Sequence, residues 1–221
     1  MGIMCGWKGI RKIFDDYFDS GTDQDLASAG WKKVLGTAVI KEDGTSKAYS
    51  SSASFATAQY TPDAVLTGPV GTNWSWVSCD VHLNAHNGVL LEVYHSIYVS
   101  GGRRTGLWVE VTRNQTSGIW TFTYNLQFNG GAVTSTSIGT IDEATYTPPY
   151  TILIRKHGTK YDVDIGQPPI VGGDGLISLY DQGQTSWLNL GRPGIGYKGP
   201  FFGLGGHEAE WSDFIVRKHA K

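Results

Sequence analysis

The chain has 221 residues, 30 of them glycine and only 17% charged, with 18 Lys and Arg against 20 Asp and Glu. A net charge of −2 leaves no electrostatic footprint for DNA or RNA, so nucleic acid is not an expected partner. No run of ~18 apolar residues occurs, so no membrane span is read, and the length suits one large domain burying roughly 70% of its unfolded surface.

Ile3, Trp7, Ile10 and Phe14 recur at helical spacing with Lys8, Arg11 and Lys12 between them. This predicts a short amphipathic helix or arm over residues 1–13, although Gly2, Gly6 and Gly9 disfavour the helix. Because a Trp and two Ile are costly to leave in water, Ile3, Trp7, Ile10 and Arg11 are the residues through which an arm would dock on a neighbouring subunit. Packing against its own domain is the other outcome. The opening residues lack an apolar stretch with a small-residue cleavage site, so no secretory signal is read and the protein is expected to begin at Met1.

Residues 14–221 read as strands and turns in a single all-β domain. Thr45–Thr57 is Ser/Ala-rich and predicts an exposed strand or loop. Four strands then follow in a row. Val77, Cys79, Val81 and Leu83 alternate with Trp76, Ser78, Asp80 and His82. Val89, Leu91, Val93, Ile97 and Val99 oppose Leu90, Glu92, Tyr94, Ser96 and Tyr98, with His95 as a polar member of the aliphatic side. Leu107, Val109 and Val111 oppose Trp108, Glu110 and Thr112, and Trp120, Phe122, Tyr124, Leu126 and Phe128 oppose Thr121, Thr123, Asn125 and Gln127. Successive side chains point to opposite sides of a sheet, so each strand has one face for the core and one for water or a ligand.

Asp43-Gly44, Asn87-Gly88, Asn129-Gly130 and Asp174-Gly175 supply positive-φ residues for tight turns, and Gly101-Gly102 is a turn pair. Two more alternating runs, Tyr150–Lys156 and Tyr161–Ile165, precede a last strand, His207–Arg217. There Ala209 and Trp211 share a side with Phe214 and Val216 only if the phase changes across Ser212 and Asp213, which predicts a β-bulge. Cys79 lies on an aliphatic face and Cys5 is distant, so no disulfide is expected. This many short antiparallel strands must either close into a barrel or stack as two sheets, and two sheets is the expectation.

Three segments resemble the concanavalin A-like lectin/glucanase sandwiches, which include laminin-G-like modules. They are Asp16-Tyr17-Phe18-Asp19 with Leu26 and Gly30-Trp31, the stretch Ile152-Leu153-Ile154-Arg155 through Gly158 to Tyr161, and Gly191-Arg192-Pro193-Gly194-Ile195-Gly196 with Ala209-Glu210-Trp211-Ser212-Asp213-Phe214. The resemblance implies a two-sheet antiparallel jelly-roll sandwich over residues 14–221 whose first and last strands lie side by side. The group spans lectins, glycan hydrolases and structural domains of tailed-phage particles, so it implies a fold more than an activity.

The Glu-x-Asp-x-x-Glu strand motif of the family's glucanases is missing. Glu208 and Glu210, on the closing strand, read as a solvated face, and no enzyme is expected. His82 and His86 have metal-ligand spacing for a helix, not for a strand end, so no zinc is read. No cofactor is expected. Calcium is the one ion that Asp15, Asp16, Asp19 and Asp213 would suit where the first and last strands meet, exposed charges being the alternative.

The polar strand faces supply the candidate ligand site. Trp76, Tyr94, Tyr98 and Trp108 would be platforms for sugar rings, with Asp80, Glu92, Glu110, Asn125 and Gln127 as hydrogen-bonding partners. The bland alternative is that aromatic pairs there only stabilise the sheet. The expectation that follows is a non-enzymatic structural or adhesion protein of a phage virion, as capsid decoration or tail component. It would contact other virion proteins, itself, or a cell-surface glycan. A secreted carbohydrate-binding module and, further off, a glycan hydrolase are the rivals.

Overall fold

The computed structural model describes residues 10–50, 57–62, 74–84, 88–157, 159–166, 177–180, 191–199 and 209–219. Among them there is no helix. The strands are β1 (Ile10–Asp16), β2 (Gln24–Asp25), β3 (Trp31–Gly36), β4 (Ile40–Glu42), β5 (Ala48–Ser50), β6 (Thr57–Pro62), β7 (Trp74–Asn84) and β8 (Leu90–Ser100). They continue with β9 (Arg103–Asn114), β10 (Ile119–Gln127), β11 (Val133–Asp142), β12 (Tyr150–His157), β13 (Lys160–Gly166), β14 (Ile177–Tyr180), β15 (Arg192–Lys198) and β16 (Ala209–His219).

Two antiparallel sheets stack face to face. One runs β14-β13-β12-β7-β16-β5-β4-β2, with β1 also paired to β16, and the other runs β11-β10-β9-β8-β15-β6-β3. The aliphatic faces meet between them. Val77, Cys79, Val81, Ile152, Ile154 and Val163 come from the first sheet, and Leu91, Val93, Val109, Val111, Phe122 and Ile195 from the second, all with no exposed surface. Each such side chain contributes about 1.5–3 kcal/mol on burial, which is what fixes the inward phase of every strand. Cys79 is a free, buried thiol, as its place on the aliphatic face predicts.

The turn chemistry is legible in places. Gly101 and Gly102 both take positive φ, 56° and 75°, and close the two-residue β8–β9 hairpin that only such residues form without strain. The bulge expected near Ser212 is present: the β16–β7 register shifts between Ser212 and Ile215, Asp213 sits at φ 49°, and Trp211, Phe214 and Val216 all reach the core. First and last strands do pair, Asp16 opposite Phe214.

Four expectations need correction. Ile10 and Arg11, assigned to an arm or helix over 1–13, already lie in β1 with backbone partners His219 and Lys218; Ile3 and Trp7 lie outside the described residues. Ala48, Tyr49 and Ser50, expected in an exposed stretch, are buried in β5 against β16 and β4. The segment holding Gly88 does not close a hairpin. It carries the chain from β7 in one sheet to β8 in the other, so the four consecutive strands do not share one outer face. Finally, the β8–β9 register shifts between Tyr94 and Ser96, and this bulge reverses the phase of β8 beyond His95. Ile97 and Val99 therefore join Tyr94 and Trp108 on the outside, in a small cluster of their own, while Tyr98 pairs with Thr105 on the core side.

Candidate functional site

The outer face of the seven-stranded sheet can be written as rows across the strands, because directly paired residues share a face. One row runs Gln59 (β6), Gly196 (β15), Glu92 (β8), Glu110 (β9), Thr123 (β10) and Ser137 (β11). The next runs Gly194, Tyr94, Trp108, Asn125 and Ser135. Along this face lies a cleft of about 580 Å³, whose lining includes Gln59, Glu92, Arg104, Trp108, Glu110, Asn125, Gln127 and Lys198.

At its centre a hydrogen-bonded network holds Glu92, which is only 4% exposed. The Tyr94 hydroxyl donates to Glu92 Oε2 at 2.6 Å and Gln59 Nε2 donates to the same oxygen at 3.3 Å. Arg104 donates from Nη1 to the Tyr94 hydroxyl at 2.7 Å and from Nε to Gln127 Oε1 at 2.6 Å, and its Nη1 stands 3.7 Å from Glu92 Oε1. Its guanidinium lies 4.2 Å from the Trp108 ring centroid. Tyr94 and Trp108 pack on each other with centroids 5.4 Å apart.

Glu110 faces Glu92 directly across the β8–β9 ladder. Burial pushes its carboxyl above the ordinary value and the Glu92 charge adds to this, while Lys198, Arg104 and the Trp108 indole N–H pull it back down. That N–H nonetheless closes no well-formed hydrogen bond. It is one of three polar atoms around the cleft left without a partner, the others being Gln59 Oε1 and Asn125 Nδ2. The residues carrying them are 1%, 3% and 2% exposed. Such atoms cost about 1–3 kcal/mol each when unpaired.

Of the residues singled out from sequence, the fold gathers Glu92, Tyr94, Trp108, Glu110, Asn125 and Gln127 here and separates Tyr98, Trp76 and Asp80. Tyr98 is turned to the core side by the bulge. Trp76 and Asp80 belong to the outer face of the other sheet. Trp76 is there flanked by Arg155 and Arg217, and Asp80 by Thr151 and Ser212. Burial and a contact with Asp213 raise the Asp80 carboxyl, against a hydrogen bond from Thr151. Tyr94 and Trp108 also differ from the open platforms expected: they are 0% and 1% exposed, and Arg104 covers Trp108.

The residues that sequence reasoning passed over are Gln59, Gly196, Lys198 and Arg104. Stepping the alternation back from Glu110 and Trp108 through Gly106 reaches Arg104, so that one was within reach. Near the first and last strands, Asp16 accepts from Trp31 Nε1 at 2.6 Å and Phe18 N at 2.8 Å, and Asp15 pairs with Lys12 at 2.6 Å. Among the described residues no three His, Cys, Asp or Glu side chains are placed to hold a metal ion. Glu210 is paired with Lys47 at 2.8 Å, and His82 Nε2 lies 2.5 Å from Ser212 Oγ; Glu208 and His86 lie outside the described residues.

No family model and no curated protein sequence matches the chain. Solved structures do. The CBM2 module of the evolved Dit of Lactobacillus casei BL23 phage J-1 is 15% identical, covers 96% of this chain and 97% of its own, and superposes with a TM-score of 0.57. A galectin-like protein of unknown function from Bacillus subtilis is 14% identical over 97% of this chain and 99% of its own, with a TM-score of 0.59. A glycoside hydrolase family protein from Mycobacterium thermorestibile is 12% identical over 93% and 99%, with a TM-score of 0.55. At these identities the likeness speaks for architecture, and with the sheet order above the fold is a two-sheet antiparallel jelly-roll sandwich, consistent with a concanavalin A-like fold.

Proposed function

We propose that this chain is a glycan-binding β-sandwich that works by surface contact without cutting its ligand, displayed on a phage particle as part of the tail or capsid surface. The observation that carries the binding half is the cleft of the seven-stranded sheet, where Gln59 Oε1, Trp108 Nε1 and Asn125 Nδ2 are buried without partners around about 580 Å³ of space. A sugar is dense in hydroxyls able to meet such groups. The phage setting draws support from the likeness to the phage J-1 module, whose description as CBM2 also suits a carbohydrate ligand. The non-enzymatic half rests on how firmly Glu92 is engaged: held by Tyr94 and Gln59 and beside Arg104, it is committed to the network.

The test is a glycan array with the whole chain, followed by calorimetry on any hit with Asn125→Ala and Trp108→Phe, each of which removes one unpartnered N–H. Each variant is expected to weaken binding by about tenfold, the worth of roughly one buried hydrogen bond. An array without hits, or affinity untouched by both substitutions, overturns the cleft as the site. Turnover of the bound glycan that disappears in Glu110→Gln would overturn the non-enzymatic half.

A further inference from the structure

The cleft carries charge of both signs, and the disposition of that charge decides which sugars fit. Arg104, its part-buried cation, is held in place: Nε donates to Gln127, Nη1 donates to Tyr94 and sits near Glu92, and the guanidinium lies over the Trp108 ring. Its charge is offset by Glu92 at 3.7 Å. Lys198 stands at the exposed rim, where solvent screens it. With Arg104 and Glu92 offsetting each other, Glu110 on the adjacent strand is the lining carboxylate that has no ion pair among the described residues.

The unpartnered atoms sharpen this. Trp108 Nε1 and Asn125 Nδ2 are donors from directly paired positions, whereas Gln59 Oε1 is an acceptor, and Glu110 is an acceptor whenever ionised. A hydroxyl can give and take a hydrogen bond, so a polyol can satisfy both kinds. A carboxylate or sulfate only accepts. It would leave Gln59 Oε1 unmet and bring a second negative charge beside Glu110. Nor can ring stacking compensate, since Arg104 already occupies the Trp108 face.

We infer that the cleft selects a neutral, hydroxyl-rich saccharide against uronate-bearing or sulfated ones, an inference that rests on the glycan-binding reading above. Discrimination is by hydroxyl pattern, because a site built from buried hydrogen-bonding groups rejects ligands that leave them unpaired.

The experiment titrates the whole chain with two matched sets of probes of equal length. One set holds neutral gluco-, galacto-, manno- and rhamno-oligosaccharides, and the other holds oligogalacturonates and sulfated galacto-oligosaccharides. At least one neutral probe is expected to bind about tenfold tighter than every acidic one. Its affinity should change by less than about twofold between roughly 0.05 and 0.5 M salt, and should fall about tenfold in Asn125→Ala. An acidic probe binding as tightly or more tightly overturns the inference while leaving the cleft a glycan site. Binding of neither set overturns both.

Discussion

Gly196 lies in the middle of β15, between Gln59 and Glu92 on the cleft face. A methyl group there would stand 2.4 Å from Glu92 Oε2, 2.9 Å from Tyr94 Cε2 and 3.2 Å from Gln59 Cγ. The Glu92 carboxylate can swing aside, but only by leaving the Tyr94 hydroxyl and the Gln59 amide. The Tyr94 ring has less freedom, packed as it is against Trp108. Loss of a hydrogen bond to a buried carboxylate costs about 1.5–3 kcal/mol and crowding a packed site about 1–3 kcal/mol, with partial relaxation offsetting some of the sum. Gly196→Ala is thus expected to destabilise by about 3 kcal/mol, a fall in Tm of about 6–12 °C for a domain of this size.

Calorimetric or urea unfolding measures the effect, and a double-mutant cycle with Glu92→Ala identifies its cause. With the carboxylate gone, the cost of the added methyl should drop by about half or more, since the Tyr94 and Gln59 contacts alone remain. Gly194→Ala provides the contrast. Its methyl would lie 2.1 Å from the backbone oxygen of Tyr60, which cannot move without breaking the β6–β15 pairing, so this variant should be far more damaging than Gly196→Ala. A Gly196→Ala protein within about 1 °C of wild type, or a penalty unchanged by Glu92→Ala, would refute the account.

Three further outcomes are expected. The raised Glu110 carboxyl means the folded state holds its proton more tightly than the unfolded one, so its contribution is full below the ordinary 4.5 and lost as pH rises through the raised value. Glu110→Gln should accordingly match or exceed wild-type Tm at pH 8, and a clearly lower Tm there would count against this. His95 behaves in the opposite sense: burial and the Lys156 charge lower it to about 3 against a Ser75 hydrogen bond, so stability present above 6.5 is lost as pH falls, by at most about 1.4 kcal/mol per unit. Urea midpoints followed from neutral pH to about pH 3 should decline in wild type and flatten in His95→Gln; parallel curves would sink the assignment. Glu143 accepts from Arg113 at 2.7 and 2.5 Å and from Trp120 at 2.9 Å, which holds its carboxyl low, so its contribution is present above 4.5 and fades as pH falls through the lowered value. In this part-exposed pair Glu143→Gln should cost about 1 kcal/mol at pH 7 and little at pH 3, and an equal cost at both would show that charge is not its source.

The core was legible because period-two alternation reports a face without needing to know the partner. Val77, Leu91, Val109 and Phe122 point inward whichever strands they pair with. The site was legible only in part because it needs the partner. Gln59 and Gly196 come from short strands at residues 57–62 and 192–198; only the sheet order sets the second beside β8 and the first beside the second, and nothing in local alternation ranks them above other small or polar residues. Trp76 went astray for a related reason. A short link between two alternating strands reads the same whether it closes a hairpin or crosses the sandwich, and between β7 and β8 it crosses.

Tyr98 and the aromatic pair show two further limits, both physical. A bulge inserts one residue into the count, so the alternation that places Tyr94 correctly misplaces everything after His95 in the same strand. Whether an outward aromatic ring is open depends on its same-face neighbours. Arg104 and Trp108 lie four residues apart on β9, two steps along one face, and a guanidinium at that distance can fold flat over the indole. An alternating strand with arginine four residues from tryptophan therefore argues against a stacking platform. It argues for a closed ring, and in this chain Trp108 is 1% exposed beneath Arg104, its Nε1 one of the buried atoms without a well-formed hydrogen bond.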